Sequence, residues 1–309
     1  MKSYKKIKFK KRFPFRDNLI LIVKLILKIP LIKKLIYKII FNLKDFFYKI
    51  KSESVRGLIY DVLSERQKYI EVKNKKNEKF IIFSNDKDLS RELFINNEFD
   101  LKKLERTINF LSTKKKIRNL YDIGANIGVT SIPAIKRGLA NHAYAVEPEI
   151  NNFDLLKKNI ILNDVEKNIS TYNYALSNKD NIELEMEISD NNSGDHRVRL
   201  PNPQMTIHNE NTRSIIKVTS KKFDSLFQNL LLSRTPLVIE FWPYGLKRNN
   251  LWEKIDSIFE KYDYFIDLNQ DNINKIDINK NTLNELKNGW ENEKKNNYSL
   301  FTDILLIKN

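Results

Sequence analysis

A glycine-containing turn between a strand and a helix restricts the fold of this chain more than any other feature. The turn comprises residues 122–128 (DIGANIG), which follow a short apolar strand at 119–123 and precede helical spacing at 129–137. Glu147 comes 19 residues after Gly128, at the end of the next apolar run. Glycines let a backbone approach a ligand closely, and an acid at this second strand end is placed to accept hydrogen bonds from ribose hydroxyls. The pattern therefore predicts a nucleoside-cofactor site in an α/β fold.

The residues of the turn also indicate the kind of cofactor. A dinucleotide fingerprint requires G-x-G-x-x-G, but Asn126 and Val129 occupy the second and third glycine positions. Asp122, two residues before the first glycine, repels a pyrophosphate and suits a cofactor with a positively charged amino acid group, such as S-adenosylmethionine. A nicotinamide oxidoreductase is the distant alternative. Structural interpretations without a ligand also stay open. The glycines would then serve only to form a turn, Glu147 would be a solvated residue at a strand end, and Asn126 and Asn163 would cap or end their elements.

The rest of the chain alternates strand and helix patterns. A hairpin is predicted from 69–72 and 79–83, strands at 143–146, 170–175, 214–218, 236–241, 264–268 and 302–307, and helices at 101–111, 151–162 and 250–261. Such alternation is typical of a mostly parallel sheet covered on both faces. We therefore expect a Rossmann-like α/β sheet with helices on both faces, preceded by a β-hairpin and a basic helical N-terminal arm. The expected domains are the arm at 1–50, a connecting helix at 51–68 and a catalytic domain at 69–309.

Several segments, in their order and spacing, resemble the FkbM-type family of class I S-adenosylmethionine-dependent methyltransferases. They are the D-x-G-x-N-x-G turn, the Glu147-Pro148 pair, and residues 69–83, 151–163, 174–177, 192–197, 223–226, 239–246 and 301–306. The similarity covers about residues 69–309. It implies transfer of a methyl group to a hydroxyl oxygen of a sugar or glycan precursor, or of a secondary metabolite.

The same resemblance implies roles for individual residues. The methionine end of the cofactor would be lined by four residues of the turn, Asp122, Gly124, Asn126 and Gly128. Glu147 would hold the ribose, and Ala175 and Leu176 would lie near the adenine.

Residues that could contact the molecule that accepts the methyl group lie in two later segments. Asp195 and His196 belong to a polar stretch at 190–199, and Glu240, Trp242 and Tyr244 follow a strand. A base helps methyl transfer when the acceptor is a weak nucleophile such as a hydroxyl, so His196, Asp195 and Glu240 are the predicted catalytic residues. A surface position for His196 and packing roles for the two aromatic residues are the alternatives. No histidine pair at ligand spacing indicates a metal site.

One segment departs from the family pattern. After residues 223–226 the family has a strand that ends in an acidic motif, but here the chain passes almost at once from Phe227 to the strand at 236–241. Because that strand is central in the class I fold, its loss would leave two unpaired sheet edges unless a neighbour moves in. Residues 236–241 are one candidate to fill the place, with Glu240 then near the cofactor. An inactive or truncated protein that acts as a binding module is therefore the alternative function.

The N-terminal arm carries most of the net charge. Residues 1–50 contain 15 Lys and Arg against two acids, whereas the remaining chain has 40 against 37. Lys24 with Lys28 and Lys34 with Lys38 are each four residues apart among apolar residues, which predicts basic amphipathic helices split by Pro30. The arm either binds an anionic membrane surface or packs on the body or a partner subunit, and nucleic acid is the less favoured partner.

The composition excludes several classes of protein. The absence of cysteine excludes disulfides, thiolate metal sites and cysteine nucleophiles. Two lysines and Pro30 interrupt the apolar stretch at 18–29, so a membrane-spanning helix is not expected, and no small-residue cleavage site follows it. We therefore expect a cytoplasmic protein, with the arm as a contact to the inner membrane face.

Overall fold

The computed structural model describes residues 25, 28–42, 52–74, 76–111, 116–199, 212–228, 235–270, 274–292 and 301–308. Much of the predicted arm, at 1–24 and 43–50, lies outside these residues. The helices are α1 (Pro30–Asn42), α2 (Glu53–Ser64), α3 (Leu89–Asn96), α4 (Leu101–Leu111), α5 (Ser131–Lys136), α6 (Ile150–Leu162), α7 (Phe223–Leu226), α8 (Pro243–Arg248), α9 (Asp256–Phe259) and α10 (Lys280–Asn292). The strands are β1 (Tyr69–Lys73), β2 (Lys79–Phe83), β3 (Ile117–Ile123), β4 (Ala140–Val146), β5 (Ile169–Tyr172), β6 (Ala175–Leu176), β7 (Glu183–Ile188), β8 (Arg197–Val198), β9 (Ser214–Lys221), β10 (Leu237–Phe241), β11 (Tyr264–Asp267), β12 (Ile276–Asp277) and β13 (Thr302–Ile307).

The predicted hairpin forms from β1 and β2, paired antiparallel from Tyr69 opposite Phe83 to Lys73 opposite Lys79. Its alternate residues Ile70, Val72 and Phe80 enter the core. Two asparagines of α6 hold the outer edge of β2. Asn159 accepts from the Ile81 amide (2.7 Å) and donates to the Ile81 carbonyl (3.1 Å), and Asn163 bonds the amide and carbonyl of Lys79 in the same way. Asn163 therefore fixes the hairpin to α6 as well as ending that helix.

The central part of the fold confirms the predicted α/β class. Strands β3, β4 and β5 pair parallel in that order, with α5 and α6 in the two connections. Parallel strands require such crossovers, and the strand–turn–helix of the glycine turn is the first of them. This Rossmann-like unit places the carboxyl end of β3, where residue 123 leads into the turn, beside the carboxyl end of β4, where Glu147 follows.

A second group of strands is ordered β6-β9-β7-β8. The predicted strand at 170–175 is divided here into β5 and β6, because the Asn173 side chain donates to the carbonyls of Glu147 and Pro148 between them. Strand β7 was not predicted, although its glutamates alternate with Leu184 and Met186 as in a half-buried strand.

The third group is ordered β10-β13-β11-β12, with β13 antiparallel to both neighbours. Residues 236–241, the candidate to fill the place of the absent central strand, do not fill it, because β10 pairs with β13 and forms no pair with β3. Among the described strands, β3 and β10 each form the edge of their sheets. Over the strands that the structure describes, the two unpaired edges expected from the absent segment are therefore observed.

Side chains connect the separate sheets. Lys103 of α4 lies 2.5 Å from the Asp303 carboxylate on β13, and Arg106 donates to the Leu268 carbonyl (2.8 Å). A buried ion pair of 2.7 Å joins Glu187 on β7 to Arg248 at the end of α8. These contacts hold the β10–β13 group against the rest of the body.

Helices at the two ends of the chain differ from expectation in part. Residues 250–261 are helical only at Asp256–Phe259, since Asn250 is left-handed (φ 54°) and residues 252–255 form turns. The predicted connecting helix is present as α2, and four of its residues, Ile59, Tyr60, Val62 and Leu63, belong to the same core as the hairpin. Helix α1 begins at Pro30. Over the described ranges, no helix combines the length and apolarity required to span a bilayer.

Candidate functional site

Three residues of the glycine turn have left-handed backbone angles, Gly124 (φ 80°), Asn126 (φ 50°) and Gly128 (φ 91°). The two glycines serve different purposes. A methyl group on Gly128 would come within 2.8 Å of Ile132 and 2.9 Å of Leu156, so Gly128 permits α5 and α6 to pack closely against the turn. A methyl group on Gly124 would have no atom within 4 Å. Gly124 thus leaves open space beside the backbone at the turn.

Glu147 lies behind the turn and is only 4% exposed. One carboxylate oxygen accepts from the Asn126 amide (2.8 Å) and the other from the Glu149 amide (2.9 Å). Burial raises the pKa of Glu147 to about 7, although these backbone hydrogen bonds favour the charged form. The Asn152 side chain also donates to this carboxylate, so of its roughly four acceptor sites about one stays open to a further donor such as a hydroxyl.

A loop at 190–196 is fastened over the turn by groups that the sequence analysis missed. The Ser193 carbonyl accepts from the side-chain amides of Asn126 (2.8 Å) and Asn152 (3.2 Å). The buried Asp86, just after the hairpin, accepts from the Ser193 hydroxyl (2.5 Å) and amide (3.3 Å). Asp86 and Ser193 are 107 residues apart, so no local pattern links them. Asn126 therefore joins Glu147 to this loop, beyond any role in ending a strand.

These elements enclose a cavity of about 940 Å³. Small-molecule pockets have volumes of roughly 300–1,000 Å³, so this one has room for a cofactor and an acceptor group. Six predicted site residues line it: Gly124, Asn126, Glu147, Asp195, His196 and Glu240. Trp242 also lines it, and so do Asp88, Asp100, Asn152, Arg213 and Phe301, which the sequence analysis did not select.

The other four predicted cofactor residues do not line this cavity. The Asp122 carboxyl accepts from the Ser131 hydroxyl (2.5 Å) beneath the turn, and burial raises its pKa. Gly128 is packed under Ile132, as described above. Ala175 and Leu176 form β6 beside β9, with Ala175 buried against Met186. Their proposed contacts with a cofactor stay predictions.

The hydrogen bonding of His196 argues against its predicted role as a base. Its Nδ1 atom accepts from the Ser189 amide (3.1 Å), so the neutral ring carries its proton on Nε2. Burial lowers the pKa of His196 further and favours this neutral form. The only basic lone pair of the ring is therefore already engaged, and His196 offers a hydrogen-bond donor instead.

Asp195 is also a poor base, because two cations hold its carboxylate. Arg197 is paired with one oxygen, and Arg213 lies 2.5 Å from the other while also donating to the Asp195 carbonyl (2.7 Å). The Arg197 guanidinium stands 4.9 Å from the centre of the Trp242 ring. Gly245 allows this ring to lie flat on α8, since any Cβ there would come within 2.4 Å of it. This group fixes one wall of the cavity.

Glu240 fits the role of a base better than the other two candidates. It lies one residue before the end of β10, lines the cavity and is exposed to solvent. Partial desolvation, together with the nearby Asp303 carboxylate, raises its pKa. A carboxylate with a raised pKa accepts protons more readily near neutral pH. Tyr244 is buried, with its ring centre 5.1 Å from that of Trp242, which agrees with a packing role.

The charge of the cavity favours a cationic ligand. Its lining contains five acids, Asp88, Asp100, Glu147, Asp195 and Glu240, but only two arginines, Arg197 and Arg213. Both arginines pair with Asp195. The remaining acids therefore attract a positively charged group and repel a pyrophosphate. Over the described ranges, no group of three His, Asp or Glu side chains is placed to hold a metal ion.

Comparison with known proteins gives structural similarities only. No protein-family model and no curated protein matches the chain. Similar solved structures include P. horikoshii TYW2 in complex with MeSAdo (14% identity, 82% of this chain and 84% of that chain, TM-score 0.35) and the METTL16 MTase domain (12%, 84% and 81%, 0.30). Methanocaldococcus jannaschii Trm5 in complex with adenosine is 21% identical over 34% of this chain, with a TM-score of 0.23. The match spans 29% of that Trm5 chain, less than a third of its length.

Proposed function

We propose that the protein binds S-adenosylmethionine in the cavity beside Gly124 and transfers its methyl group to a hydroxyl oxygen of a sugar or glycan precursor. The observation that carries this proposal is the acid-rich cavity at the glycine turn, where the open face of Gly124 meets the carboxylate of Glu147. This cofactor combines a sulfonium and an ammonium group with a ribose. The cavity acids suit the two cations, and the remaining acceptor site of Glu147 suits a ribose hydroxyl.

When bound, the cofactor supplies an electrophilic methyl group, and the chain has to position the acceptor and remove one proton. Glu240 takes the hydroxyl proton, because its pKa is raised and its carboxylate faces the cavity. His196 donates a hydrogen bond from Nε2 to the acceptor and fixes its orientation. Trp242 offers an aromatic face to a sugar ring beside Arg197.

Binding is tested by titrating S-adenosylmethionine into the full chain by calorimetry. We expect binding by the natural protein, strong loss of affinity in Glu147→Ala, and no effect of Glu185→Gln, which changes an exposed acid of β7 away from the cavity. NAD serves as the control ligand and should not bind, because the cavity acids repel its pyrophosphate. Absence of binding by the folded natural protein, or binding that ignores Glu147→Ala, would refute the proposed cofactor site.

Transfer is tested with cofactor carrying a labelled methyl group and a panel of sugar phosphates, nucleotide sugars and lipid-linked glycans. Glu240→Gln should lower the rate of transfer by about 10²–10⁴-fold and leave cofactor affinity unchanged, because a general base acts on the acceptor. Total RNA is included in the panel. Preferential labelling of RNA would replace the proposed sugar acceptor by a nucleic acid.

The second candidate function is a binding module without catalysis. The open edges of β3 and β10 favour it, since in the class I fold the strand absent between them ends beside the transferred methyl group. The two functions differ in one result. A module would bind the cofactor and transfer no label to any member of the panel, and Glu240→Gln would change nothing.

The proposed partners are a hydroxyl acceptor in the cavity and an anionic membrane surface that is contacted by the N-terminal part of the chain. A cytoplasmic location with peripheral attachment to the inner membrane face accords with these two partners. Glycan precursors attached to lipid would bring both partners together at one surface.

A further inference from the structure

Helix α1 presents an apolar stripe to solvent. Leu31, Leu35 and Ile39 follow one another at four-residue spacing, and their side chains are 79%, 60% and 44% exposed. Four-residue spacing places them on one side of the helix. Ile36, three residues before Ile39, lies at the edge of this row and packs against the core that contains α2 and the hairpin. The helix is therefore fixed to the body by one edge of its apolar face and leaves the row of Leu31, Leu35 and Ile39 uncovered.

Lysines border this stripe. Lys34 and Lys38 are exposed and lie one helical turn apart, next to the row formed by Leu31, Leu35 and Ile39. Just before the helix, Lys28 and Ile29 are exposed as well. An apolar row with flanking lysines on a helix of 13 residues matches the pattern of helices that lie in the plane of a membrane surface.

We infer that this face of α1 makes the membrane contact on which the proposed function relies: it docks on an anionic lipid surface, with Leu31, Leu35 and Ile39 inserted among the acyl chains and Lys34 and Lys38 at the headgroups. The length of α1, about 20 Å at 1.5 Å per residue, is too short to cross a hydrocarbon core of about 30 Å, so the helix lies flat.

Charge decides between a lipid surface and a second copy of the chain. Residues 1–50 carry an excess of 13 positive charges. Pairing two copies through α1 would bring two such segments together, and their repulsion opposes a dimer. An anionic bilayer offers the opposite charge, and each lysine near it strengthens binding by about fivefold.

The test is sedimentation of the full chain with vesicles of phosphatidylcholine alone or with phosphatidylserine added. Two variants remove the two parts of the surface separately: Leu31→Ser with Leu35→Ser and Ile39→Ser, and Lys34→Glu with Lys38→Glu. The matched control is Ile161→Ser, which changes an equally exposed apolar residue on α6. Because all altered side chains are exposed, urea denaturation should show unchanged stability in each variant.

We expect binding to vesicles with phosphatidylserine and little to phosphatidylcholine alone. The lysine variant should bind at least 25-fold more weakly, from about fivefold for each of two lysines, and the serine variant should lose sedimentation. Ile161→Ser should bind normally. Unchanged sedimentation of the serine variant, or no sedimentation of the natural protein, would overturn the inference. Light scattering gives a further test. If the natural protein were a dimer and the serine variant a monomer, the stripe would bind a second copy of the chain, and the inference would be overturned. None of these results depends on methyl transfer.

Discussion

Replacing Gly128 or Gly124 by alanine separates the stability of the turn from its binding. Both glycines have positive φ, which costs an alanine about 1–2 kcal/mol. Only at Gly128 does the new methyl group collide with neighbours, at 2.8 Å from Ile132 and 2.9 Å from Leu156, which are both fully buried. Overpacking of this kind costs about 1–3 kcal/mol more. Gly128→Ala should therefore lower the free energy of unfolding by about 2–5 kcal/mol, and Gly124→Ala by about 1–2 kcal/mol.

The comparison is made by urea denaturation followed by tryptophan fluorescence and circular dichroism. Replacing a glycine by alanine also reduces the conformational entropy of the unfolded chain, which favours the folded state. This contribution to the free energy of unfolding is the same in both variants, so it cancels when the two are compared. The second measurement is the affinity for S-adenosylmethionine, which Gly124→Ala should reduce, because its methyl group enters the cavity. Equal destabilisation by both variants, or normal affinity in Gly124→Ala, would refute the separate roles assigned to the two glycines.

Three further predictions concern buried polar groups. Arg248→Met should destabilise the protein by about 3–5 kcal/mol, because it leaves the Glu187 carboxylate buried without its main cation. In thermal denaturation, the double variant that adds Glu187→Leu should regain much of this loss. Because folding raises the pKa of Glu147 to about 7, this residue should lower stability by roughly 3 kcal/mol as pH rises from about 4.5 to 7. Glu147→Gln should lessen the fall by that amount in urea titrations at several pH values and leave the part due to other raised acids such as Asp122; an equal fall in both proteins would contradict the prediction. Asn159→Ala should cost about 1–3 kcal/mol through loss of the hairpin contacts, whereas the exposed Asn168→Ala should cost little.

Local sequence predicted the parts of the site that depend on local geometry. The glycines of the turn follow from the backbone angles that a strand–turn–helix connection requires, and the position of Glu147 follows from the length of one strand–helix–strand unit. Asp195 was selected as an acid of a polar stretch and Glu240 as an acid near the end of a predicted strand, and the structure places both at the cavity. The β1–β2 hairpin was found through its alternating apolar residues.

Features that depend on distant partners were not predicted. The fastening of the 190–196 loop by Asp86 requires contact across more than a hundred residues. The proton position on His196 depends on which backbone amide lies opposite Nδ1, and sequence carries no sign of it. The helix predicted at 250–261 had correct apolar spacing, since Trp252, Ile255 and Phe259 are buried, but the left-handed Asn250 changed the backbone that carries them.

The break between β3 and β10 has a consequence for how this sequence tolerates change. Over the described strands, no ladder of backbone hydrogen bonds joins the two sheets, whereas in a continuous sheet such a ladder persists whatever the side chains are. Here the joint depends on particular side chains, including Lys103 with Asp303 and Glu187 with Arg248. Substitutions at these positions weaken the joint directly, and apolar packing of Phe110 and Leu111 on β11 and β13 is what then still holds the two parts together. Selection on this protein should therefore fall most heavily on the residues of the joint.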